Sequence, residues 1–191
     1  MIFAGQNIVK QNILLKLFLK VYLVYMATYS DYNPSKHNDF MTPKCIFEEI
    51  KSFIPDTLIS MPFYGDGTAG KHMTELGFDV IHQDEDFFEF DRGEVVIDNP
   101  PYGKFKKLII EKLIERNKPF MLLMPVSTMC YKYSKILKDN LQILIPKSRP
   151  KYIYYDKRTG KTDADWKKKS AAFDSVWFCW KMNFEKDINF L

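Results

Sequence analysis

The sequence predicts an α/β fold built on a mainly parallel, doubly wound sheet that ends in a C-terminal antiparallel hairpin. Two observations predict this class. Short apolar runs such as EVVID at 94–98 and FMLLM at 120–124 lack polar alternation, which is typical of parallel strands covered on both faces. Segments with helical periodicity separate these runs, and a glycine turn at 65–67 joins one strand to a helix.

The elements follow in order along the chain. Thr42 and Pro43 predict a helix start, with Thr as the N-cap and Pro in the first helical position. Gly77 is predicted to end the second helix as a C-cap. Two aromatic strands are expected to form the hairpin across a long loop, 156–170. The predicted helices are 42–53, 68–76, 104–115 and 127–140, and the predicted strands are 57–63, 78–82, 94–98, 120–124, 151–155 and 173–180.

Composition indicates a globular chain in a reducing, cytoplasmic-type compartment. Apolar residues make up 46% and aromatic residues 16% of the 191 positions, which excludes a disordered chain. The three cysteines, Cys45, Cys130 and Cys179, are far apart and odd in number. Neither a disulfide framework nor a zinc site is therefore expected, and no other metal site is predicted.

Residues 1–27 are predicted to be separate from the main domain, which is predicted to span 28–191. The apolar stretch within 1–27 is interrupted by Lys16 and Lys20, whereas a spanning helix needs about 20 apolar residues. We therefore expect an accessory amphipathic helix over 1–27 and no stable membrane insertion. Its apolar face would carry Leu14, Leu17, Val21 and Val24.

Charge is unevenly distributed along the chain. Residues 1–97 contain 8 Lys and Arg against 14 Asp and Glu, whereas residues 98–191 contain 20 against 10. This asymmetry indicates a polyanionic partner, DNA or RNA, although a solvated lysine-rich surface has the same composition. The candidate nucleic-acid-binding residues lie in and beside the loop 156–170: Lys147, Arg149, Lys151, Lys157, Arg158, Lys161, Lys167, Lys168 and Lys169.

The glycine turn has two interpretations. Residues 65–71, GDGTAGK, fit the phosphate-binding pattern G-x-x-x-x-G-K, and the strand ending at Asp98 fits its usual second motif. The next position, however, holds His72 in place of the Ser or Thr that binds magnesium. The alternative is a loop whose glycines let the backbone approach a nucleoside with an amino-acid tail.

The residues that follow the 94–98 strand favour the second interpretation. Pro100 and Pro101 make a rigid corner that donates no backbone hydrogen bonds, so its groups are acceptors. The Asn99 side-chain oxygen and the Pro100 carbonyl can both accept from an aromatic amino group whose ring stacks on Tyr102. Two such bonds favour a pyramidal nitrogen with a lone pair free to attack. The arrangement resembles an active site for methylating an amino group.

These motifs resemble those of a known enzyme family. N-P-P-Y at a strand end resembles the signature of amino-methyltransferases that use S-adenosylmethionine, and P-F-x-G-x-G at 62–67 is similar to the cofactor loop of their DNA N6-adenine branch. The segment 37–43, HNDFMTP, is similar to the family segment that covers the methionine end of the cofactor. The resemblance covers about residues 37–180 and is strongest to small viral and bacteriophage enzymes.

The resemblance implies a Rossmann-like methyltransferase fold and an adenine-specific DNA methyltransferase that binds S-adenosyl-L-methionine. It implies that Asp84 binds the ribose, that Asp86 binds the adenine amino group and that Phe87 packs on its ring. The implied catalytic residues are Asn99, Pro100, Pro101 and Tyr102. The implied cofactor-binding residues are Phe40, Thr42, Phe63, Gly65, Asp66, Gly67, Asp84, Asp86 and Phe87.

Two departures from the family pattern leave alternatives open. Met61 stands where the family usually has an acid for the cofactor ammonium, and Asp66 is a candidate substitute. Asp84 and Asp86 nearly coincide, whereas the family places the two motifs about a helix and a strand apart. The alternatives are an RNA adenine or protein glutamine methyltransferase, and a non-catalytic nucleic-acid-binding protein on the same scaffold.

Overall fold

The computed structural model describes residues 40–102, 105–156, 161–162 and 173–191. The chain divides between Tyr32 and Asn33, and all described residues belong to the second unit, Asn33–Leu191. The helix predicted over 1–27 lies outside the described residues, as do most positions of the loop 156–170.

Most strands of the described chain are short. They are β1 (Phe40–Met41), β2 (Ile59–Ser60), β3 (Val80–Ile81), β4 (Val95–Asp98), β5 (Phe120–Pro125), β6 (Leu141–Ile145), β7 (Ile153–Asp156), β8 (Lys161–Thr162), β9 (Ser175–Trp180) and β10 (Ile188–Phe190). Seven of them form one sheet in the order β10-β6-β9-β5-β4-β2-β3, and the other three form a small sheet in the order β1-β7-β8.

The main sheet has a parallel half and a mixed half. β3, β2, β4 and β5 are mutually parallel, whereas β9 lies antiparallel between β5 and β6, and β10 is parallel to β6. Every residue of β4, β5 and β9 is buried. Burial on both faces explains why these strands show no polar alternation. The predicted α/β class with a mainly parallel sheet is confirmed.

Three α-helices accompany the sheet in the described ranges: α1 (Lys44–Glu49), α2 (Thr68–Glu75) and α3 (Phe105–Glu115). The buried face of α3 packs Ile109, Ile110 and Leu113 into the same core cluster as Phe120 of β5. No helix of the described ranges is long and apolar enough to cross a membrane.

The first predicted helix is shorter than expected. α1 ends at Glu49 and a 3₁₀ turn, Lys51–Phe53, follows it. The predicted Thr42 cap is wrong: the N-cap is Pro43, and no side chain caps the helix. Thr42 instead belongs to the chain that leaves β1, where its side chain is buried. Gly77 follows α2 with a φ of +94°, as its predicted C-cap role requires.

Two further predictions are corrected. In place of the helix expected over 127–140, the chain forms two 3₁₀ segments, Val126–Cys130 and Lys132–Leu137. The strand that follows them, β6, was not predicted. Ser, Thr and Cys at 127–130 have low helix propensity, and a five-residue apolar run such as 141–145 fits a strand as well as a helix.

The predicted pairing between the two aromatic strands is also wrong. β7 pairs antiparallel with β1 and β8, whereas β9 pairs antiparallel with β5 and β6. The antiparallel character of the C-terminal part is present, but the partners differ. β9 is buried throughout, so it gains most by occupying the interior of the main sheet with a neighbour on each side.

Candidate active site

The glycine turn and the proline corner lie at the same edge of the main sheet. β2 and β4 are adjacent and parallel, with Ser60 beside Val96. Because parallel neighbours end on the same side, the segment after β2 and the segment after β4 meet there, as ligand sites in such sheets do. β1 of the small sheet contributes the third side, since the Asn99 amide nitrogen approaches the Phe40 carbonyl to 3.5 Å.

A cavity of about 200 Å³ opens between these three segments. Most candidate cofactor and catalytic residues of the two motifs therefore share one space. Its walls also include residues that sequence reasoning missed, among them Met41, Tyr64 and Asp98. The full lining is Phe40, Met41, Thr42, Phe63, Tyr64, Gly65, Ala69, Asp98, Asn99, Pro100, Pro101 and Tyr102.

Asp98 ties the two strand ends together. One carboxylate oxygen, Oδ2, accepts from the Phe63 backbone N–H at 2.8 Å, and Oδ1 accepts from the Asn99 backbone N–H at 2.7 Å. The side chain is 1% exposed. Burial raises the pKa of Asp98 to about 7, against the lowering effect of the two N–H bonds. Its position at the last residue of a buried strand, directly before the corner, was the available sequence signal.

Tyr102 orients the Asn99 side chain. Its hydroxyl lies 2.7 Å from Asn99 Oδ1 and 3.1 Å from the Leu123 carbonyl oxygen, and both are acceptors for the phenolic hydrogen. The Asn99 Nδ2 faces the Phe40 carbonyl. These contacts point Oδ1 away from β1 and leave that oxygen a second lone pair. The Tyr102 ring is 3% exposed and meets Phe173 edge-on, with centroids 5.2 Å apart.

The glycine loop is shaped for close approach. Gly65 has a φ of +62°, and a Cβ there would lie 2.9 Å from the Met41 sulfur. Gly67 has a φ of +82° and faces a separate cavity, beside the Tyr64 ring. Thr42 lines the main cavity, and its buried hydroxyl has no hydrogen-bond partner among the described residues. An unpartnered buried hydroxyl in a cavity wall is suited to a polar ligand.

Asp66 does not point into the cavity. Its carboxylate accepts from the Thr68 backbone N–H at 3.0 Å and from the Thr68 hydroxyl at 2.6 Å. Asp66 thus stabilises the first turn of α2, where a negative charge also meets the positive end of the helix dipole. This use of the carboxylate leaves Asp66 a poor substitute for the family acid missing at Met61.

The acidic segment after β3 is separate from the cavity. Asp84 and Asp86 are exposed, and Asp86 Oδ1 accepts from the Phe88 N–H at 2.8 Å. Phe87 is buried, with its ring centroid 5.2 Å from that of Phe63. None of the three lines the cavity, although Phe87 supports a residue that does.

His82 lies next to Met61, the position at which the family usually has an acid. Met61 is fully buried, and its carbonyl oxygen lies 2.7 Å from His82 Nδ1. A carbonyl only accepts, so Nδ1 carries the hydrogen and a neutral ring leaves Nε2 as an acceptor. His82 stacks on Tyr64, with centroids 4.9 Å apart, and lies so close to Gly70 that no Cβ fits there.

Lys106 lies next to the corner residue Tyr102 but does not line the cavity. Its ammonium is 5.9 Å from the Tyr102 ring centroid and 5.0 Å from that of Tyr131, and the residue is 4% exposed. Burial lowers the pKa of Lys106 to about 8. The sequence offered no sign of this burial, because lysine is usually exposed.

The predicted nucleic-acid-binding residues are only partly described. Lys147, Arg149 and Lys151 are exposed, and Arg149 pairs with Asp174 at 3.0 Å. The backbone of Lys161 lies in β8. The remaining candidates, Lys157, Arg158, Lys167, Lys168 and Lys169, lie outside the described residues.

Comparisons with known proteins do not assign the chain to a family. No family model matches the sequence, and no curated protein matches it. One similar solved structure is a dimethyladenosine transferase from Plasmodium falciparum, with 14% identity, a TM-score of 0.43 and coverage of 74% of this chain. The chain spans 62% of that enzyme's length. At this identity and TM-score the likeness carries no conclusion about substrate or cofactor.

Proposed function

We propose that this protein transfers a methyl group from S-adenosylmethionine to the exocyclic N6 of adenine in a polynucleotide, with DNA as the expected acceptor. One observation carries the proposal. The acceptors of the proline corner, Asn99 and Pro100, line the same cavity as the glycine turn after β2. A cofactor held by the turn and an amine held by the corner would therefore meet.

The cavity walls fit the proposed cofactor. Phe40 and Phe63 supply apolar walls, and Gly65 removes the side chain that would otherwise contact Met41. The Thr42 hydroxyl supplies a polar contact that has no partner among the described residues. A mixture of aromatic walls and a few unpaired polar groups is typical of nucleoside pockets. S-adenosylmethionine, when bound, would supply an electrophilic methyl group on its sulfonium.

Asp98 is proposed to hold the cofactor ammonium in place of the acid missing at Met61. It is the carboxylate in the cavity wall, and it is fully buried. A buried carboxylate is costly unless a cation or several N–H groups stabilise it. Two N–H groups already bind Asp98, and an ammonium in the cavity would complete its partners.

Residues of the proline corner would then orient the adenine amino group for attack. Asn99 Oδ1, already oriented by Tyr102, and the Pro100 carbonyl accept its two hydrogens. These bonds draw the lone pair out of the aromatic ring and toward the cofactor side of the cavity. Tyr102 lines the cavity as well, so the adenine would rest against the part of its ring that faces that space.

The test is incubation with labelled S-adenosylmethionine and, in parallel, unmethylated DNA, RNA and mixed protein. We expect label as N6-methyladenine in DNA with the wild type and a loss of at least about 100-fold for Asn99→Ala. Asn140→Ala removes an exposed asparagine far along the chain and is the matched control. Label found only in RNA or only in protein would show that this molecule, and not DNA, is the acceptor. No label in any acceptor would refute the proposed activity.

A second candidate is a non-catalytic nucleic-acid-binding module on the same scaffold. The position of Asp84 and Asp86 outside the cavity favours it, because the implied ribose and adenine contacts are then missing. Calorimetry separates the two candidates. Measurable S-adenosylmethionine binding supports the enzyme, whereas DNA binding without cofactor binding supports the module.

A further inference from the structure

Lys106 has no anionic partner among the residues that the structure describes. Its ammonium is bracketed by the rings of Tyr102 and Tyr131, and none of its described contacts is a carboxylate. The next residue, Lys107, differs from it: Lys107 is exposed and forms an ion pair with Glu111 of the same helix at 3.2 Å. A buried lysine therefore faces the corner while an ordinary paired lysine faces outward.

The position of Lys106 is unfavourable for the protein alone. It lies in the first turn of α3, where the positive end of the helix dipole disfavours a positive charge, and it is buried. Both effects disfavour the ammonium, in keeping with the lowered pKa. Two aromatic faces recover part of this cost through cation–π attraction. An anionic ligand at this point would relieve both effects.

The location identifies the ligand class. Tyr102 forms part of the cavity wall, and Lys106, which does not line the cavity, lies over the ring of Tyr102. The ammonium therefore contacts one ring of the cavity wall and a second ring, Tyr131, that is 37% exposed. A nucleotide with its base in the cavity carries its phosphates toward the surface, where a lysine serves as a point charge for them.

We propose that Lys106 binds a backbone phosphate next to the target adenosine, with Tyr131 as the positioning residue that holds its ammonium toward the surface. The inference rests on the proposed function, since it assumes that an adenine base enters the cavity. It adds a binding residue for the acceptor strand, separate from the cofactor contacts and from the basic residues predicted around 147–169.

The test measures binding of a short fluorescein-labelled single-stranded oligonucleotide with one adenine, by anisotropy over a salt series. Lys106→Met keeps the length of the side chain and removes its charge, and Lys107→Met makes the same change in net charge as the control. We expect Lys106→Met to weaken binding about tenfold or more and to reduce the salt slope by about one. Lys106→Arg and Tyr131→Phe should retain most of the affinity, whereas Tyr131→Ala should weaken it.

A second probe tests whether Lys106 contacts a phosphate next to the adenine. An oligonucleotide with neutral methylphosphonates on both sides of the adenine should bind wild type and Lys106→Met with equal affinity. An undiminished Lys106→Met effect on this probe, or equal effects of Lys106→Met and Lys107→Met on the natural strand, would overturn the inference. So would weaker S-adenosylmethionine binding by Lys106→Met without nucleic acid, because the ammonium would then serve the cofactor.

Failure of the proposed function gives a different result. Wild type would then bind the oligonucleotide in a Lys106-dependent manner, yet transfer no methyl group to it, and the phosphate site would stand as part of a binding module. If wild type binds neither the strand nor its methylphosphonate form, both proposals fall. Circular dichroism and cofactor calorimetry on each variant separate a lost contact from a lost fold.

Discussion

The Asp98 carboxylate accepts the backbone N–H of Phe63 at 2.8 Å, across two neighbouring strand ends. Its other oxygen accepts the N–H of Asn99 at 2.7 Å, so one buried side chain sets the spacing between the cofactor loop and the corner. The raised pKa of this carboxyl gives the site a pH dependence with a definite sign.

Stability should fall as Asp98 ionises. Its pKa in the folded protein is about 7, above the ordinary value of 3.8, so the folded state binds more protons between those values. The free energy of unfolding should therefore decrease from about pH 4 to pH 7, with a slope of at most about 1.4 kcal/mol per pH unit. Urea titrations across this range measure it. Asp98→Asn should lack this component, and an unchanged slope in that variant would contradict the assignment.

Cofactor affinity should rise as the pH rises through 7. If the cofactor ammonium binds Asp98, the bound state favours the carboxylate, so binding at pH 7 releases a fraction of a proton. Calorimetry in two buffers with different ionisation enthalpies measures this release. Asp98→Asn should bind more weakly and release no proton. Equal proton release from wild type and variant would assign the ammonium to another residue.

Removing the Tyr102 hydroxyl should affect catalysis more than cofactor binding. Tyr102→Phe frees the Asn99 amide to rotate, and we expect about a tenfold lower kcat with a loss of about 1 kcal/mol in stability. Steady-state kinetics and chemical unfolding measure the two effects. In an Asn99→Ala background the same change should have little further effect on kcat. A full effect in that background would show that the hydroxyl acts on its own.

Gly65 and Gly77 provide a matched pair for the cofactor loop. Both have a positive φ, so alanine at either position should cost about 1 kcal/mol of stability. A Cβ at Gly65 would also lie 2.9 Å from the Met41 sulfur, in the cavity wall, whereas nothing lies within 4 Å of one at Gly77. Only Gly65→Ala should therefore weaken S-adenosylmethionine binding. Equal cofactor affinities for the two variants would place the cofactor elsewhere.

Lys106→Met should stabilise the protein while it weakens strand binding. The wild-type ammonium is buried at the start of a helix, so its removal should raise the free energy of unfolding by about 1 kcal/mol at pH 7. Wild type should recover this difference as the pH rises from about 8 toward 10, because the folded state then releases its proton before the unfolded state. Thermal unfolding at pH 7 and 9 tests it, and a less stable variant at pH 7 would contradict it.

Local patterns predicted the parallel half of the sheet well. β4 and β5 were predicted almost to the residue because buried parallel strands have no polar alternation. β1, β6 and β8 were not predicted, since two- to five-residue strands carry little periodicity. The pairing of β9 also required knowledge of which strands are most deeply buried.

The candidate site divides in the same way. The motifs identified Asn99, Gly65 and Thr42, which line the cavity, because proline, glycine and a following helix restrict the backbone locally. They also pointed to Asp84 and Asp86, neither of which lines the cavity. Asp98 and Lys106 were missed, since a charged residue is exposed by default and only packing reveals its burial.

The sequence by itself determined the fold class, the strand tips and the acceptor-rich corner, because hydrophobic period and the stiffness of proline act over a few residues. Tertiary structure alone decided that the corner and the glycine turn border one cavity, that a carboxylate joins them and that a buried ammonium lies over the ring of Tyr102. Those relationships join residues 35 or more positions apart or depend on burial, and packing of the whole chain selects them.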